Sequence, residues 1–404
     1  IDLSEDREKF QALLNKLNLK QPKNGIARSE QEAISKATAI GYPVVIRPSY
    51  VIGGRAMEVV LNPAHLMRYI KDAVQVSGNN PILIDSFIEG AIEVDVDAIS
   101  DGKKVTVVGV MQHVEEAGIH SGDSACSLPP YSLPKEIITE IKKQTKMLAI
   151  ELKVVGLMNV QFAIKENSIF VLEVNPRASR TLPFVSKAIG IPIPGLAALL
   201  MAGIGHNDLK EPKLNFYAVK EVVLPFDKFP GVDVLLGPEM RSTGEVMGID
   251  KSFEQAFLKA QLATGVKLPE RGTAFVSLKD QDKNEKLIEA CLALEALGIE
   301  IIATKGTAIY LKQNNINVTK VKKAHEGRPN ITDLLSDNKV DIVFNTTAGL
   351  QSILDSREIR TISVAKRLPY FTSATGSWAA AHAMKSSKES EISIISLQEL
   401  KTYQ

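Results

Sequence analysis

The sequence predicts two units of different fold class: an α+β unit over residues 1–268 and a smaller α/β unit with a parallel sheet over residues 269–404. In the first unit, helix-period segments and strand-like runs alternate irregularly, unlike a βαβ series. In the second, short apolar strands alternate with helical segments, the pattern of a parallel sheet. No linker rich in proline, glycine and serine precedes residues 210–268, so we assign them to the first unit.

The elements of the first unit follow from hydrophobic periodicity. Acidic and apolar residues alternate over 93–98, which predicts a strand with one solvated or ligand-facing side. The turn-forming run 165–168 predicts an antiparallel hairpin. Ser4 is placed to cap the first helix. The predicted helices are 5–17, 63–76 and 135–152, and the predicted strands are 42–47, 93–98, 105–111, 157–164 and 169–174.

The last part of the first unit, residues 210–268, and the second unit have their own signals. The run YAVKEVVLPF predicts a strand, and GPEMRSTGEVMG, rich in turn formers, predicts a loop. In the second unit a helix is expected over 283–297. The predicted strands there are 274–278, 299–303, 318–321 and 340–344.

Composition and charge exclude several classes of protein. The 404 residues include 48 Lys and Arg against 47 Asp and Glu, a formal charge of +1. No basic excess can neutralise a nucleic-acid backbone, so we expect no nucleic-acid partner. The two cysteines, Cys126 and Cys291, exclude a disulfide scaffold and a cysteine-based zinc module, and they favour a reducing cytoplasm.

The most apolar stretch, residues 189–204, contains two prolines and is shorter than the roughly 20 residues of a membrane span. We expect a buried loop and helix there, and no membrane contact. The chain begins at Ile1 with neither an initiator Met nor a signal peptide, so we expect an internal piece of a longer polypeptide.

Three oxygen-bearing side chains converge on the predicted hairpin. Residues two apart on a strand share a face, so Gln161 on one strand can meet Glu173 and Asn175 on the other. A carboxylate and two amides suit a hard ion such as Mg²⁺, held together with phosphates. Polar residues that simply face water are the plain alternative. The run LEVNPR, with Arg177 where an apolar strand ends, favours the metal site.

A second motif follows the predicted strand 42–47. That strand delivers Arg47 into the loop PSYVIGGR, where Gly53 and Gly54 permit close approach to phosphates. Arg47 and Arg55 add charge-assisted hydrogen bonds. A glycine pair alone is more often a plain turn, but together with the metal motif it predicts a nucleotide phosphate site.

Five motifs carry a family resemblance, in the order YPVVIRPSYVIGGRAM, ILIDSFIEGAIEVDVDA, HVEEAGIHSGDSACSLP, GLMNVQFAI and FVLEVNPR. With them the chain resembles the ATP-grasp fold, and within it the carboxy-terminal synthetase half of carbamoyl phosphate synthase large subunits. The resemblance implies ATP between two α+β lobes, with Mg²⁺ or Mn²⁺ on Gln161, Glu173 and Asn175. The other implied nucleotide contacts are Arg7, Arg47, Gly53, Gly54, Ile88, Glu93, Gly118, Ile119, His120 and Ser121.

The third motif also contains residue types that bind zinc. Their spacing matches no helical or Cys-x-x-Cys pattern, so we favour a nucleotide-contacting loop after the strand 105–111. The residues concerned are His113, Glu115, Glu116, His120, Asp123 and Cys126.

Polar loops follow neighbouring strands of the second unit. The strand 299–303 runs into TKGT and a helix, which predicts a phosphate cradle, although a capped helix would explain this tetrapeptide alone. Another strand ends in NTTAG, and a further loop reads KKAHEGRP. Ligands bind at the carboxyl ends of adjacent parallel strands, so these loops predict a ligand site.

The second unit resembles the methylglyoxal-synthase-like regulatory domain that ends the same large subunit. The resemblance implies a regulatory nucleotide such as UMP or IMP. Because no acid stands at Asn345 to act as a lyase base, regulation is favoured over catalysis. The implied contacts are Lys283, Thr304, Thr307, Lys323, Asn345 and Thr347.

Ornithine control is not expected, because family members activated by ornithine carry an acid where this chain has Phe371. The positions that otherwise match those members are Glu115, Asp123, Glu221 and Thr372.

The reaction that the resemblance implies is phosphorylation of carbamate by MgATP. The implied partners are a glutamine amidotransferase small subunit and the first synthetase half, in an oligomeric enzyme of pyrimidine and arginine biosynthesis. Three alternatives stay open: a truncated fragment that only binds regulatory nucleotide, another ATP-grasp ligase such as a biotin carboxylase, and a subunit that only docks an amidotransferase. The implied catalytic residues are Arg47, Glu173, Asn175 and Arg177.

Overall fold

The computed structural model describes residues 2–48, 56–77, 81–228 and 233–400. Internal contacts divide the chain into two units. The first comprises Ile1–Tyr217, Leu236–Arg241 and Ile395–Gln404, and the second comprises Ala218–Leu235 and Ser242–Ile394. The predicted domain boundary after residue 268 stays a prediction.

The first unit combines helices with two antiparallel sheets. The helices are α1 (Asp2–Glu5), α2 (Arg7–Lys16), α3 (Glu30–Ile40), α4 (Pro63–Ser77), α5 (Lys135–Glu151), α6 (Leu182–Ala188) and α7 (Ile193–Met201). The strands are β1 (Asn24–Ala27), β2 (Val44–Pro48), β3 (Glu58–Val60), β4 (Ile82–Ser86), β5 (Ile92–Asp101), β6 (Val105–His113), β7 (Cys126–Leu128), β8 (Val155–Lys165) and β9 (Ser168–Asn175). The smaller sheet has the order β1-β4-β2-β3, and β7-β6-β5-β8-β9 are successive neighbours in the larger one.

One face of the larger sheet is apolar and packs against α2 and α5. Val94 and Val96 of β5 point into this core with Phe162 of β8, since alternate residues of a strand share a face. Leu14 of α2 and Ile141 of α5 cover them. Full burial of each such side chain contributes roughly 1.5–3 kcal/mol to stability. The opposite face of the sheet carries buried polar side chains, among them Asp95 and Asp97 of β5.

The cap of the first helix differs from the prediction. Ser4 lies inside the short helix α1, and Asp6, in extended conformation, caps α2 by accepting hydrogen bonds from the backbone N–H groups of Glu8 and Lys9. The prediction of Ser4 as the cap is therefore wrong. A carboxylate at this position also interacts favourably with the positive end of the helix dipole.

The apolar stretch 189–204 forms α7, but it is not buried throughout. Ile193 and Ala197 are buried, whereas Leu199 and Met201 are 47% and 68% exposed, so the prediction of a buried element is only half right. No single helix in the described ranges is long and apolar enough to span a membrane, although α6 and α7 pass that test together across a 115° bend.

The second unit contains the predicted parallel sheet. The strands are β10 (Tyr217–Val223), β11 (Gly244–Asp250), β12 (Thr273–Ser277), β13 (Glu300–Thr304), β14 (Thr319–Val321), β15 (Ile342–Asn345) and β16 (Tyr370–Phe371). The parallel sheet has the strand order β14-β13-β12-β15-β16. The helices are α8 (Phe253–Thr264), α9 (Glu285–Ala296), α10 (Lys305–Gln313), α11 (Ile331–Ser336), α12 (Gly349–Asp355), α13 (Arg357–Ala365) and α14 (Ala374–Glu389).

The run GPEMRSTGEVMG is only partly a loop. Its last residues, from Gly244 onwards, belong to β11, a neighbour of β10 in the sheet. The loop prediction is therefore wrong for this half. Glycine and polar residues resemble a turn, but backbone hydrogen bonds to a neighbouring strand outweigh that local preference.

Candidate functional site

The β8–β9 hairpin brings the predicted metal ligands together. Gln161 pairs with Glu173 and Asn159 pairs with Asn175 across the two antiparallel strands. Directly opposite residues have Cβ atoms about 4.5–5.5 Å apart and point to the same face. The predicted convergence of Gln161, Glu173 and Asn175 on one face is thus present in the structure, whereas their role in metal binding stays a prediction.

A β-bulge sets this register. Leu172 is the extra residue, because the pairing shifts between Gln161 and the next residue of β8. Val171 and Val174, three residues apart, both lie in the core, which strict alternation would forbid. Because Leu172 is left without a partner on β8, Glu173 lies opposite Gln161 while Val171 lies opposite Phe162.

Glu173 is the charged centre of the cluster. Arg47 Nη1 donates to Glu173 Oε2 at 3.0 Å, and Asn175 Nδ2 donates to Oε1 at 2.6 Å. Arg177 Nη2 donates to Asn175 Oδ1 at 2.9 Å. Burial alone would raise the pKa of Glu173, but Arg47 and Asn175 outweigh it and hold the pKa below its ordinary value. A carboxylate that is 34% exposed and ionised can still bind a ligand.

Arg7 adds a second guanidinium near this carboxylate. It forms an ion pair with Asp85 of β4, and the two side chains are only 6% and 16% exposed. Burial, and then the charge of Arg47, lower the pKa of Arg7 to about 10, while Glu173 opposes the shift. Arg7 therefore stays charged at neutral pH, and it adds to the positive potential at the site.

Asp85→Asn should lower the free energy of unfolding by about 3 kcal/mol or more, because it leaves the buried Arg7 without its charged partner. Urea unfolding measures the loss. Asp2→Asn is the matched control: Asp2 of α1 pairs with Lys9 of α2, the helix that carries Arg7, but both side chains are largely exposed, so a loss of less than about 1 kcal/mol is expected. An equal loss of unfolding free energy in the two variants would contradict the expectation that burial makes the Arg7–Asp85 ion pair the more important one.

Most of the predicted glycine-rich phosphate loop lies outside the described residues. Gly53, Gly54 and Arg55 lie outside the described residues, and of this motif the structure describes Arg47 at the end of β2. The role of these glycines stays a prediction.

A buried polar network occupies the acidic side of β5. His113 Nε2 is 2.7 Å from Asp95 Oδ2, and its Nδ1 is 3.6 Å from Glu93 Oε2. Burial alone would lower the pKa of His113, but Cys126 and Asp95 raise it well above its ordinary value. The imidazole and Asp95 therefore form a buried ion pair, and this part of the side of β5 predicted to be solvated or ligand-facing is enclosed.

Asn159 extends the network along β5. Its Nδ2 donates to Asp95 Oδ1 at 3.1 Å and to Asp97 Oδ1 at 3.0 Å, and Thr181 Oγ1 donates to Asp97 Oδ2 at 2.9 Å. Burial raises the pKa of Asp97 to about 6 despite these hydrogen bonds. The sequence analysis recognised the acidic alternation of this strand, but it assigned no site role to Asp95, Asp97 or Asn159.

The loop after β6 carries most of the remaining predicted nucleotide contacts. Gly118 N donates to Glu93 Oε1 at 2.9 Å. Its φ of +92° and the Phe87 ring, 2.7 Å from where a Cβ would stand, both require glycine. Ile119 follows it, and Ser121 Oγ accepts from Gln161 Nε2 at 3.3 Å. The loop thus connects β5 to the hairpin.

An apolar cluster lies beside these polar groups. Its buried members are small, and partly buried larger side chains surround them. A flat aromatic ligand is suited to such a surface. The members are Ile88, Ala91, Ala117, Ala163, Phe170 and Leu172.

His120 holds its loop in place. Its backbone N–H donates to Gly237 O at 2.9 Å, and its Nδ1 accepts from Gly122 N at 2.9 Å. Burial lowers its pKa, so the imidazole is neutral at pH 7.

Within the described ranges no three His, Cys, Asp or Glu side chains are grouped to hold a metal ion. That result does not bear on the predicted metal site, which consists of one carboxylate and two amides.

In the second unit, polar side chains meet at the carboxyl edge of the parallel sheet. Ser277 of β12 pairs with Asn345 of β15, and its hydroxyl lies 2.9 Å from that of Thr304 at the end of β13. Thr304 and Asn345 are both buried. The structure therefore brings two of the predicted nucleotide contacts to one edge.

The other predicted contacts have different environments. Thr307, near the start of α10, accepts from the backbone N–H of Leu278 at 3.1 Å. Lys283 Nζ lies 3.2 Å from where a Cβ on Gly306 would stand, so its ammonium is next to the start of α10. Lys323 is exposed and Thr347 half-buried.

The small and large sheets of the first unit, with a carboxylate and arginines on facing elements, define an ATP-grasp protein. Two solved structures share this fold. The biotin carboxylase domain of the Hydrogenobacter thermophilus 2-oxoglutarate carboxylase has a TM-score of 0.54 at 17% identity, covering 65% of this chain and 66% of that chain. The N5-carboxyaminoimidazole ribonucleotide synthetase of Thermus thermophilus has a TM-score of 0.50 at 13% identity, covering 65% and 71%.

The chain belongs to the family described as carbamoyl-phosphate synthase L chain, ATP binding domain, whose model matches residues 6–208. An MGS-like domain matches residues 286–372. The carbamoyl phosphate synthase large chain of Neisseria meningitidis serogroup A is 53% identical over 99% of this chain, and that of Archaeoglobus fulgidus is 50% identical over 99%. The chain spans 37% of the length of each of these relatives.

Proposed function

We propose that the chain phosphorylates carbamate with ATP and releases carbamoyl phosphate and ADP. The observation that carries the proposal is the cluster at the end of β9, where Arg47 bonds to Glu173, the carboxylate opposite Gln161. The sequence identity of 53% and 50% to two carbamoyl phosphate synthase large chains supports the choice of carbamate as the substrate. Because the chain spans 37% of those relatives, the proposal concerns this one step.

The donor set at the hairpin fits a magnesium or manganese ion. Glu173 offers an ionised carboxylate, and Asn175 offers an amide oxygen. Gln161 donates its Nε2 to Ser121, which leaves its Oε1 for a cation. Such an ion, held by Gln161, Glu173 and Asn175, would withdraw charge from the phosphate oxygens of the nucleotide. The biotin carboxylase domain with the shared fold was solved with MgADP, in support of this pairing.

The chain's own groups bind and orient the nucleotide. Arg47 and Arg7 supply positive charge for the phosphates. The apolar cluster around Ala117 and Leu172 receives the adenine ring, and the Gly118 to Ser121 loop borders it. These assignments place the nucleotide contacts of the first unit around one carboxylate, Glu173.

In the proposed reaction a carbamate oxygen attacks the γ-phosphorus. One P–O bond forms, and the bond to the β,γ-bridging oxygen breaks, so ADP leaves with that electron pair. Arg177 orients carbamate or the γ-phosphoryl group, and Arg47 neutralises charge on the equatorial oxygens. Positioning and charge are sufficient for this step, because no covalent enzyme intermediate is required.

The reverse partial reaction tests the proposal. The full chain is incubated with MgADP and carbamoyl phosphate, and ATP is measured by luciferase. Formation of ATP supports the assigned substrate and step. Absence of ATP would favour the alternative of a fragment that only binds regulatory nucleotide.

We also propose that the second unit binds a regulatory nucleotide, UMP or IMP. Polar groups at the carboxyl edge of the parallel sheet support this, as does the match to the MGS-like domain. The proposed contacts are Lys283, Thr304, Thr307, Lys323, Asn345 and Thr347. Phe371 packs edge-on against Phe344, and the expectation of no ornithine control stays a prediction.

Lys323→Ala should weaken binding of UMP or IMP about tenfold, because it removes a charge-assisted contact to phosphate. Calorimetric titration of the full chain measures the change. Lys320→Ala, three residues away and also exposed, is the matched control and should leave the affinity unchanged. Unchanged affinity in Lys323→Ala would contradict the assignment. Thr307→Ala should also weaken binding, but its hydroxyl bonds to the backbone of Leu278 as well, so it is a less specific test.

We further propose that the chain functions within a larger enzyme. In that enzyme a glutamine amidotransferase subunit supplies ammonia, and another synthetase half activates bicarbonate. Both cysteines are free and buried, which supports a reducing compartment such as the cytoplasm.

A further inference from the structure

A row of three polar side chains crosses the larger sheet beside the proposed metal site. Asp97 of β5 pairs with Asn159 of β8, and Asn159 pairs with Asn175 of β9. Residues paired directly across neighbouring strands point to the same face. Because such strands lie about 4.8 Å apart, the two ends of the row are roughly 10 Å from each other. The row thus joins a proposed metal ligand, Asn175, to a buried carboxylate that the proposed reaction does not use.

The loop that leaves β9 returns to the Asp97 end of this row. It comprises residues 176–181 and carries Arg177. Thr181 Oγ1 donates to Asp97 Oδ2 at 2.9 Å. Asp97 and Thr181 are each only 2% exposed, so water does not compete for this hydrogen bond. The loop is therefore held at both ends, by the strand at Asn175 and by the buried carboxylate at Thr181.

Ser179 connects this anchor to the middle of the loop. Its Oγ lies 2.9 Å from Thr181 Oγ1 and accepts from the backbone N–H of Leu182 at 2.9 Å. A threonine hydroxyl has one proton, and that of Thr181 goes to Asp97, so the Ser179 hydroxyl donates to Thr181. The hydrogen bonds therefore run in one direction, from Ser179 through Thr181, and they end on Asp97.

The same loop fixes the Arg177 guanidinium. Its Nη2 donates to Asn175 Oδ1 at 2.9 Å, and its Nη1 donates to Ala178 O at 3.0 Å. Ala178 lies directly between Arg177 and Ser179 in the chain. A shift of the loop at Ser179 therefore moves the carbonyl oxygen that holds one side of the guanidinium.

We infer that Asp97 and Thr181 are positioning residues that determine where the Arg177 guanidinium stands. This inference rests on the proposed function, in which Arg177 orients carbamate or the γ-phosphoryl group. In the reverse reaction both groups are parts of carbamoyl phosphate. A misplacement of about 1 Å can lower the rate of such a reaction roughly 10²-fold. The proposed nucleotide contacts Arg47 and Glu173 lie outside the loop, so loss of the anchor should impair the use of carbamoyl phosphate far more than that of MgADP.

Thr181→Val tests the anchor in the full chain, because valine keeps the shape of threonine but cannot donate to Asp97. ATP formation from MgADP and carbamoyl phosphate is followed while each substrate is varied in turn. The kcat/KM for carbamoyl phosphate should fall roughly 10²-fold, and the KM for MgADP should stay within about threefold of normal. Thr181→Ser keeps the hydroxyl, so its kcat/KM should stay within about threefold of normal.

Thr145→Val is the matched control for a general effect of losing a buried hydroxyl. Thr145 is fully buried in α5, which covers the opposite face of the same sheet, and its Oγ1 donates to Ile141 O at 2.9 Å. This variant should keep kcat/KM for carbamoyl phosphate within about twofold of normal.

Asp97→Asn is the second variant at the anchor. Its amide has one oxygen, so it can accept from only one of Asn159 and Thr181, and kcat/KM should fall at least about tenfold. Combined with Thr181→Val, it should cause no further loss, because two residues that act through one hydrogen bond do not have additive effects. Losses that multiply in the double variant would contradict a shared role.

Hydrogen exchange supplies a readout that needs no substrate. The Arg177 amide donates to Asn175 O at 2.8 Å, and the Leu182 amide donates to Ser179 Oγ. Thr181→Val should speed exchange of both amides at least about tenfold, and Thr181→Ser should not.

The outcomes separate the inference from the proposed function. A normal kcat/KM in Thr181→Val, equal losses in the valine and serine variants, or unchanged exchange of the loop amides would overturn the inference and leave the proposed function intact. Failure of the unsubstituted chain to form ATP would overturn both.

Discussion

Glu173→Gln should lower the rate of ATP formation from MgADP and carbamoyl phosphate by roughly 10² or more, the scale of losing one preorganised electrostatic contact. The substitution keeps the size of the side chain but removes the only formal negative charge among Gln161, Glu173 and Asn175. It also deprives Arg47 of its ion-pair partner. Luciferase detection of ATP, with equal concentrations of the two chains, measures the effect.

A matched control and a second readout make this prediction specific. Glu166→Gln is the same substitution in the exposed turn of the same hairpin, and it should retain the full rate. Titration with Mn²⁺ in the presence of ADP, followed by water-proton relaxation, should show metal affinity lowered at least about tenfold in Glu173→Gln only. A Glu173→Gln chain with the normal rate and normal metal affinity would refute the assigned role.

Gly248→Ala should destabilise the second unit by about 3 kcal/mol, the upper end of the cost of overpacking. A Cβ at this position of β11 would collide with the backbone oxygen of Ala256 and stand 2.5 Å from the backbone nitrogen of Ala260 in α8. Backbone atoms of a helix cannot rotate away as a side chain can. Thermal unfolding should show a Tm lower by roughly 6–12 °C, given the size of the unit.

Gly244→Ala is the control for this prediction. Gly244 lies four residues earlier on the same strand, so it faces the same side, but the nearest atom to its Cβ would be Val223 Cβ at 3.9 Å. We expect a change of less than about 0.5 kcal/mol there. Similar losses in both variants would indicate that alanine weakens the strand itself rather than its packing on α8.

Local patterns in the sequence predict two central features of the fold. The hairpin of β8 and β9 was predicted from a turn-forming run between two apolar strands, and the structure contains it. The parallel sheet of the second unit was predicted from short apolar strands separated by helices. These predictions succeeded because side-chain periodicity and turn chemistry involve neighbours within a few residues.

Details of the site depended on more distant relations. The bulge at Leu172 has no signature in the run FVLEVNPR, yet it determines that Glu173 lies opposite Gln161. The acidic alternation of β5 was recognised, but its burial with His113 was not predicted, since burial depends on what covers a strand. The prediction that Ser4 caps the helix was wrong, because the Asp6 carboxylate accepts the hydrogen bonds from the first backbone N–H groups of α2.

By itself the sequence determined the two fold classes, the family and the residue types available for metal and phosphate binding. Only the tertiary structure decided which of them meet. Arg47 reaches Glu173 across 126 positions of the chain, and Arg360 reaches Asp233 across 127. Such pairs leave no periodic trace in a sequence, because their distance is determined by how sheets and helices pack and not by the number of residues between them.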